Sequence, residues 1–322
     1  MFEEDFNQQF YKETYRTERQ QVIFTFNEEL KDSISIYPVL DTSFAENWFI
    51  EEITKKQDSL VLWLTDSILY RIDSLQFQVN YTMQDSARKN YIKTDTLIAF
   101  FTEKQKEDKK GGNKGKGGKE GKRLNFDFLN GEEEEEIEED SVILPSELTF
   151  EHNAKEPFEL NKEVELISRF PIDKINSDLI VFSKMDDDTI PVKFKLSQDE
   201  FEIRKFYLEF EKDEEEAFSL FIPAGVFTDI YGNINDTLEF KFKTRTLDFY
   251  STVTMEIIGV KEKSIVQVLS EKGAILEEQI VFSDTTVLFN YLHPAKYKFA
   301  LYYDSNNNDK WDTGNYGELK QA

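Results

Sequence analysis

Oxygen-bearing side chains recur at alternate positions in the segment that begins at residue 304. The segment reads DSNNNDKWDTG, and its acid and amide side chains fall at positions 1, 3, 5 and 9 of an EF-hand-like count, with a backbone carbonyl at position 7. These positions belong to Asp304, Asn306, Asn308, Asp312 and, for the carbonyl, Lys310. Hard oxygens in this order could converge on one Ca²⁺ ion.

The same loop departs from a strong calcium motif at two positions. Asp309 stands where the sharp turn prefers glycine, and Asn315 stands where a bidentate glutamate is usual, although Glu318 could supply the missing carboxylate. Segments rich in Asp and Asn also make tight turns without any metal. The sequence therefore leaves two interpretations open, a plain turn or a weak calcium site. The ligands of that site would be Asp304, Asn306, Asn308, Lys310, Asp312 and Glu318, and Ca²⁺ is the one cofactor that the sequence suggests.

Side chains that commonly catalyse reactions are scarce. The chain has no cysteine and only two histidines, His152 and His293. Cysteine nucleophiles, thiolate metal sites and disulfides are therefore excluded, and a Ser-His-Asp triad would have to draw on this pair. Neither histidine has a partner motif beside it, so both are predicted to be surface residues. Among the 64 acidic residues no carboxylate pair stands out for glycoside hydrolysis, so the sequence predicts that the protein is not an enzyme.

A glycine-rich stretch near the middle of the chain invites comparison with a phosphate-binding loop. Gly112 and Gly117 have the spacing of that motif, but Gly118 and Lys119 stand where it needs Lys and then Ser or Thr. The stretch is basic, and an acidic block follows it closely. Neither half can bury enough apolar surface to offset the entropy lost on ordering. Residues 104–142 are therefore predicted to be a disordered, charged linker.

Apolar and polar side chains alternate along most of the remaining chain, as in LQFQVNY at residues 75–81. A period of two is typical of strands with one buried face. Such runs recur without helical periodicity between them, which predicts a mostly-β fold of antiparallel sandwiches. The exception is the spacing by four of Phe2, Phe6 and Phe10, which predicts a short helical lead-in within residues 1–19.

The balance of charge limits the partners that this chain can have. Its 39 Lys and Arg residues and 64 Asp and Glu residues give a formal net charge of −25. This excludes a general binder of nucleic acid or of anionic membranes. No apolar run approaches the roughly 18 residues of a membrane span, and the acidic start differs from the basic start of a secretory signal. We expect no nucleic-acid partner, no direct membrane insertion and no signal peptide in this chain.

The second half of the chain contains a recognisable domain pattern. Residues 221–233, FIPAGVFTDIYGN, and the following LEFKFKT at 238–244 resemble the end of a bacterial Ig-like domain of the SbsA type, in which a D-x-x-G-N segment precedes a final F-x-F-x-T strand. Residues 164–172, VELISRFPI, are similar to the entry of that family. The resemblance implies an Ig-like sandwich at residues 143–247 and a diverged copy, without D-x-x-G-N, at residues 20–103.

The last part of the chain is similar to transthyretin-like modules of the carboxypeptidase-regulatory or Cna-B kind. Those modules often carry L-x-P-G-x-Y followed by D-x-N-x-N-G-x-W-D-x-G, which residues 287–297 and 304–314 match except that Ala295 and Asp309 replace the two glycines. The resemblance implies a truncated transthyretin-like module at residues 248–322.

The order of the modules resembles the C-terminal part of envelope lipoproteins that Gram-negative bacteria build from Ig-like domains. This implies an internal piece of an exported protein, located in the periplasm, at the outer membrane or at the cell surface. We therefore expect a non-enzymatic structural component of the cell envelope, a scaffold or an adhesin, whose partner is an envelope protein or a glycan. The alternative is a carbohydrate-binding or adhesive module that calcium assists.

Overall fold

The computed structural model describes residues 9–30, 34–40, 43–84, 89–101, 147–185 and 189–304. The chain divides into two compact units, one within residues 9–146 and one within residues 147–322. Within the described residues the regular structure is almost entirely β-strand. The exceptions there are one α-helix, α1 (Ser67–Arg71), and two short 3-10 helices, Ser177–Leu179 and Leu247–Phe249. The predicted linker lies outside the described residues.

The first unit contains two antiparallel sheets that face each other. One sheet has the order β1-β2-β5-β4 and the other β3-β6-β7. Rings from the two sheets meet between them, with centroids 5.6 Å apart for Phe24 and Phe77 and 5.5 Å apart for Phe26 and Tyr81. The strands are β1 (Tyr11–Tyr15), β2 (Gln21–Phe26), β3 (Ser35–Pro38), β4 (Phe49–Ile53), β5 (Ser59–Leu64), β6 (Ser74–Gln84) and β7 (Asn90–Phe100).

Strand β5 is buried on both faces, whereas its alternating sequence predicts a strand with one exposed face. It lies between β2 and β4 in its sheet, and Trp63 on one face is as buried as Leu62 on the other. The indole Nε1 of Trp63 donates a hydrogen bond of 2.7 Å to the Glu52 carboxylate, so the polar atom of the ring has a partner inside the protein. The outward face of this central strand is thus covered by other parts of the protein.

The prediction of a helical lead-in in residues 1–19 is wrong for residues 11–15. These residues form strand β1, which pairs antiparallel with β2. Pairing with the edge of β2 gives the backbone the hydrogen bonds that a helix would have supplied internally. Tyr11 also packs edge-on against Phe26, with ring centroids 6.2 Å apart. Residues 1–8 lie outside the described residues.

The second unit begins with a larger sandwich, built from ten strands. Its two four-stranded sheets have the orders β13-β14-β9-β8 and β12-β11-β15-β17, and β10 pairs with β16 beside them. Phenylalanines such as Phe182, Phe206 and Phe218 are buried in the core between the sheets. The strands are β8 (Phe150–His152), β9 (Val164–Ser168), β10 (Ile172–Ile175), β11 (Val181–Met185), β12 (Thr189–Pro191), β13 (Phe194–Gln198), β14 (Lys205–Phe210), β15 (Ala217–Ile222), β16 (Phe227–Asp229) and β17 (Leu238–Lys243).

The D-x-x-G-N segment makes the turn that follows β16. The buried Asp229 accepts hydrogen bonds of 2.9 Å from the backbone N–H groups of Tyr231 and Asn233. Gly232 has φ +84°, a left-handed conformation that glycine adopts without steric cost. The buried Asn235 then accepts a hydrogen bond from the N–H of Phe227, which closes the turn against the strand. The motif therefore fixes the conformation of this turn.

The second unit ends with a smaller pair of antiparallel sheets. Strands β18 and β21 form one sheet and β20-β19-β22 the other, with a separate apolar core between them that includes Val266, Val268 and Phe289. The strands are β18 (Ser251–Ile257), β19 (Ser264–Ser270), β20 (Ile275–Val281), β21 (Thr285–Leu292) and β22 (Tyr297–Tyr303). We call these five strands the last module and the ten-strand sandwich before it the middle sandwich.

The predicted fold class, mostly β with antiparallel sandwiches of the Ig-like kind, is confirmed. The transthyretin-like character of the last module stays a prediction. Among the described residues no helix is both long enough and apolar enough to span a membrane.

Candidate functional site

Asp304 is the one predicted calcium ligand that the structure describes. Its side chain is fully buried, and its Oδ2 lies 2.6 Å from the Nζ of Lys263. Its backbone N–H also donates to the Lys263 carbonyl, at 2.8 Å. The residues described here contain no group of three or more acidic or histidine side chains that could hold a metal ion. The other predicted ligands, Asn306, Asn308, Lys310, Asp312 and Glu318, lie outside the described residues, so the calcium site stays a prediction.

His152 is not the surface residue that the sequence predicts. Its ring is half-buried and packs on Phe240 with centroids 4.2 Å apart. Burial lowers the pKa of His152, and the charge of Lys155 lowers it further. A neutral ring on the edge of the core of the middle sandwich accounts for this residue without any catalytic role.

His293, by contrast, is about half exposed but has a carboxylate partner that the sequence does not reveal. Its Nε2 lies 3.0 Å from Oε2 of Glu159. Glu159 belongs to the middle sandwich and His293 follows β21 of the last module, 134 residues later. The pair therefore joins two separately packed cores within the second unit.

Glu159 is the centre of a network that we call the Glu159 cluster, consisting of Glu159, Arg245, Tyr250 and His293. Arg245 donates to Oε1 of Glu159 through Nε at 3.1 Å and Nη2 at 3.0 Å. The hydroxyl of Tyr250 donates to Oε2 at 2.7 Å, beside the His293 contact. Both carboxylate oxygens are thus engaged, and the Glu159 side chain is only 15% exposed.

Backbone pairing holds Glu159 at the end of the middle sandwich. The N–H of Phe158 donates to the carbonyl of Lys243 at 2.8 Å, and the N–H of Arg245 donates back to the carbonyl of Phe158 at 2.9 Å. These bonds attach the segment before β9 to the end of β17, so Glu159 and Arg245 must face each other. The hydroxyl of Tyr250 also accepts a hydrogen bond of 3.1 Å from the N–H of Leu160.

Aromatic rings surround the charged groups of the cluster. The guanidinium carbon of Arg245 lies 3.9 Å from the ring centroid of Phe249, in a cation–π contact. The ring of His293 meets Phe249 edge-on at 5.1 Å, and Tyr250 meets Tyr291 in the same way at 5.3 Å. These contacts add apolar area to the polar network and connect the 3-10 helix Leu247–Phe249 to the end of β21.

The electrostatics of the cluster favour an ionised carboxylate and a protonated phenol. Burial raises the pKa of Glu159, but the hydrogen bonds from Tyr250, His293 and Arg245 outweigh this and leave its pKa below the ordinary value. Burial and the Glu159 carboxylate raise the pKa of Tyr250 to about 12. At neutral pH the cluster therefore consists of charge-assisted hydrogen bonds, whose chemical effect is to hold the two modules together.

The acidic run at residues 214–216 contributes one contact to the same junction. Oε2 of Glu214 accepts the N–H of Leu247 at 2.8 Å, which fixes the start of the 3-10 helix. Glu216 pairs with Lys184. Burial raises the pKa of Glu216, but the bonds from Lys184 and from the Asp213 N–H outweigh it, so the pKa is lowered overall. The other acidic run, residues 186–188, lies outside the described residues.

An open groove on the middle sandwich combines aromatic and charged side chains. Lys195 and Glu209 line it as a cross-strand ion pair with Nζ 3.4 Å from Oε1. The hydroxyl of Tyr207 donates to Asp199 at 2.9 Å. The full lining is Glu163, residues 191–195, Tyr207, Glu209, Phe210 and Glu211. Trp48 and Trp63 are buried in the first unit and offer no surface to a sugar, and Trp311 lies outside the described residues.

No protein-family model matches the chain, and no curated protein matches it. Among solved structures, an I-band fragment of titin aligns over 93% of this chain and 95% of its own length, at 8% identity and a TM-score of 0.19. Domains 1–6 of the surface layer protein SbsC align over 89% of this chain at 12% identity and a TM-score of 0.29, and the chain covers 32% of that structure.

A third similar structure is SGBP-B of the Bacteroides ovatus mixed-linkage glucan utilization locus, in complex with a mixed-linkage heptasaccharide. It aligns over 88% of this chain and 66% of its own length, at 8% identity and a TM-score of 0.24. The TM-scores of all three structures are low. The strand pairing and the cores of the present chain are what identify it as a β-sandwich protein.

Proposed function

We propose that this protein is a non-enzymatic structural component of the bacterial cell envelope, a scaffold or adhesion element that holds β-sandwich modules in a fixed arrangement. The Glu159 cluster carries the proposal. A stalk or spacer keeps its two ends at a fixed distance only if neighbouring modules do not rotate freely against each other. Domains within a chain move relative to one another unless contacts between them prevent it. In this chain four side chains and a set of aromatic contacts tie the middle sandwich to the last module.

The envelope part of the proposal rests on the sequence pattern. The D-x-x-G-N segment and the strand after it resemble bacterial Ig-like domains of the SbsA type, and the order of modules resembles envelope lipoproteins. Fractionation of the source cells with an antibody against this chain tests the location. We expect the protein in the envelope or periplasmic fraction, and recovery with the cytosolic enzymes would contradict the proposal.

The mechanical part is tested by the relative motion of the two modules. In ¹⁵N relaxation measurements on the full chain, amides in β14 and in β19 should report one shared correlation time in the wild type. Glu159→Ala removes the acceptor of three side chains, so the two correlation times should separate. Glu163→Ala is the matched control, because the ion pair of Glu163 within the described part of the chain, with Lys212 at 3.3 Å, lies inside the middle sandwich. Separate correlation times in the wild type would contradict a fixed junction, and equal correlation times in Glu159→Ala would contradict the role of the Glu159 cluster in fixing it.

A carbohydrate-binding or adhesive module is the second candidate, and the groove beside Tyr207 favours it. Aromatic rings next to paired charges give a sugar both an apolar surface and hydrogen-bond partners. Calorimetric titration with mixed-linkage and cello-oligosaccharides should then give a binding isotherm that Tyr207→Ala weakens. The control is Tyr37→Ala, which removes an exposed tyrosine in the first unit. Absence of heat with every oligosaccharide would argue against glycan as the partner.

Calcium assistance of either function is testable through thermal stability. A bound ion stabilises the folded state by mass action, so millimolar Ca²⁺ should raise the melting temperature of the wild type. Asp312→Asn should abolish the shift, because Asp312 is a predicted ligand. Asp304 is unsuitable for this test, since its replacement would also break the ion pair with Lys263. A melting temperature that Ca²⁺ leaves unchanged would remove the metal hypothesis.

A further inference from the structure

The outer face of the sheet β3-β6-β7 in the first unit carries no charge among the described residues. Phe77 and Tyr81 of β6 are buried on the inner face, so the residues that alternate with them and the cross-strand partners of those residues form the outer face. This outer face consists of every second residue within 35–37, 74–82 and 90–100, and none of these is Asp, Glu, Lys or Arg. Charged residues make up 32% of the whole chain, which sets this surface apart, and we call it the uncharged face.

Amide and hydroxyl groups form the middle of the uncharged face. Gln76, Gln78 and Asn80 stand in a row on β6, and the register places Gln78 between Tyr37 of β3 and Thr96 of β7. Gln76, Gln78 and Thr96 are exposed, and Tyr37 is 56% exposed. Side-chain amides and hydroxyls both donate and accept hydrogen bonds, so groups of these kinds can pair with copies of themselves.

Exposed apolar side chains lie along the β7 side of the same face. Ile92 is 74% exposed, Ile98 is 47% exposed and Phe100 is 62% exposed. Apolar groups are also self-complementary, because they gain free energy when they leave water and contact one another. The uncharged face therefore consists of groups that need no partner of opposite charge.

The outer face of the middle sandwich provides a comparison. It carries the ion pairs of Lys195 with Glu209 and of Lys205 with Glu165, each at 3.4 Å. A charged face binds well only where the partner places opposite charges against it, and like charges that meet across an interface repel. In a chain with a net charge of −25, an uncharged surface is where two copies can approach with the least repulsion.

We infer that two copies of this protein associate through the uncharged face, sheet against sheet, in a two-fold symmetric contact. A two-fold contact uses the same surface on both copies, so it requires the self-complementary groups that this face carries. Sheets packed in this way lie about 10 Å apart. The face presents fewer side chains than the roughly 20–30 residues a side of a standard interface, so we expect a dissociation constant of about 1–100 µM.

The nearby segments of the same chain match this face poorly. Residues 31–33, 41–42 and 85–88 adjoin its strands and each contain Asp, Lys or Arg, and residues 104–142 contain 12 acidic and 9 basic residues. Charged side chains laid on the uncharged face lose water without gaining an ion-pair partner there. A sugar fits less well than a second sheet, because sites for small ligands are concave and this surface is the outer side of a sheet.

Sedimentation velocity of the full chain over a concentration series should show a reversible dimer. Thr96→Glu places a negative charge from each copy within the contact, so the dissociation constant should rise at least about tenfold. Thr254→Glu is the matched control, because Thr254 is also an exposed threonine in a strand but lies in β18 of the second unit. Its dissociation constant should stay within about twofold of the wild type.

Ionic strength gives the contact a second signature. Each copy carries a net charge of −25, so the two copies repel at long range and salt screens this repulsion. Raising NaCl from about 20 mM to about 150 mM should therefore strengthen the wild-type dimer. A dimer that the added salt weakens would depend on ion pairs and would contradict an uncharged contact.

An exchange of charge at Gln78 tests the symmetry of the contact. Gln78 lies on the central strand of the sheet, so in a two-fold contact it lies close to its own copy. Gln78→Glu and Gln78→Lys should each be monomeric at a concentration at which the wild type is dimeric, and an equimolar mixture of the two should form a heterodimer. A mixture that stays monomeric would contradict the two-fold arrangement.

A wild type that stays monomeric up to about 1 mM overturns the inference, as does an equal loss of the dimer in Thr96→Glu and Thr254→Glu. Maleimide labelling of Thr96→Cys then identifies the reason, because the chain has no other cysteine. Slow labelling of a folded monomer means that another segment of the same chain covers the face, and fast labelling means that the face is open without a partner. The inference goes beyond the proposed function and does not rest on it, since a fixed junction is compatible with a monomer or a dimer.

Discussion

At the scale of single residues, Asp229 is the clearest structural determinant in the middle sandwich. Its buried carboxylate accepts two backbone N–H groups and also the side-chain amide of Asn233, each at 2.9 Å. Asp229→Ala leaves these donors without their acceptor in a buried turn. We expect the free energy of unfolding to fall by about 1–3 kcal/mol, measured by urea denaturation.

The control for Asp229 is Asp236, a few residues further along the same chain. Asp236 is exposed, and its carboxylate accepts the N–H of Thr237 at 2.6 Å. Water can replace it as acceptor there, so Asp236→Ala should change the free energy of unfolding by less than about 0.5 kcal/mol. Equal losses in the two variants would mean that the buried turn is not the source of stability.

Glu159 gives the pH dependence of stability a definite sign. Its pKa is lowered in the folded protein, so folding favours the ionised carboxylate. The stabilisation is present above the ordinary glutamate pKa of about 4.3 and is lost as the pH falls through the lower, folded value. Between pH 6 and pH 3 the urea midpoint of the wild type should therefore fall more than that of Glu159→Gln. Parallel curves for the two proteins would refute a linkage through Glu159.

Local sequence predicts Asp229 but not the Glu159 cluster, for a physical reason. The hydrogen bonds of Asp229 in the turn join residues close together in the sequence, so the D-x-x-G-N motif is enough to predict the turn. The contact between Glu159 and His293 joins residues 134 positions apart and exists only after two sandwiches have folded and docked. The available signal was indirect. In the sequence, the aromatic pair Phe249 and Tyr250 lies at the predicted module boundary. In the structure, Phe249 contacts His293, one of the two histidines of the chain.

At the scale of elements, β6 shows how alternation determines burial. Phe77 is fully buried between the sheets, with ring centroids 5.6 Å from Phe24 and 6.0 Å from Trp48, whereas its neighbour Gln78 is exposed. Phe77→Ala should lower the free energy of unfolding of the first unit by about 3–5 kcal/mol, because a large cavity forms. Gln78→Ala, one residue away on the other face, should change it by less than about 0.5 kcal/mol. Chemical denaturation followed by tryptophan fluorescence compares the two.

The elements that sequence reasoning missed are those that tertiary pairing decides. Strand β1 lacks a strong alternating pattern, but the open edge of β2 pairs with it and fixes it as a strand. Strand β5 alternates, yet its central place in the sheet buries both of its faces. Asp is common in turns, but Asp95 lies within β7, where its carboxylate accepts a hydrogen bond of 2.6 Å from the hydroxyl of Tyr81. The alternation of apolar and polar residues and the turn residues predict most strands. The neighbouring strands determine which further segments pair and how deeply each strand is buried.

At the scale of the whole molecule, the net charge of −25 is distributed over groups with different roles. Some acids make cross-strand ion pairs, such as Glu165 with Lys205, whose Nζ lies 3.4 Å from Oε2. Others, including Glu159 and Asp229, accept hydrogen bonds that hold a junction or a turn. A further share belongs to the acidic block within residues 104–142, next to a basic stretch. The 12 Asp and Glu residues of residues 104–142 are largely offset by 9 Lys and Arg residues in the same segment, so the net charge belongs mainly to the rest of the chain.

The linker supplies the prediction that concerns the whole chain. Residues 104–142 have too few apolar side chains to offset the entropy lost on ordering, and proteases cut most readily where backbone is neither buried nor hydrogen-bonded. Trypsin should therefore cleave first in the basic half and Glu-specific protease first in the acidic half, leaving two resistant fragments that correspond to the two compact units. Lysines in strands, such as Lys195 and Lys241, are the internal control, because sheet pairing protects them. Early cleavage at those strands, with the linker intact, would contradict a chain made of two independently stable units.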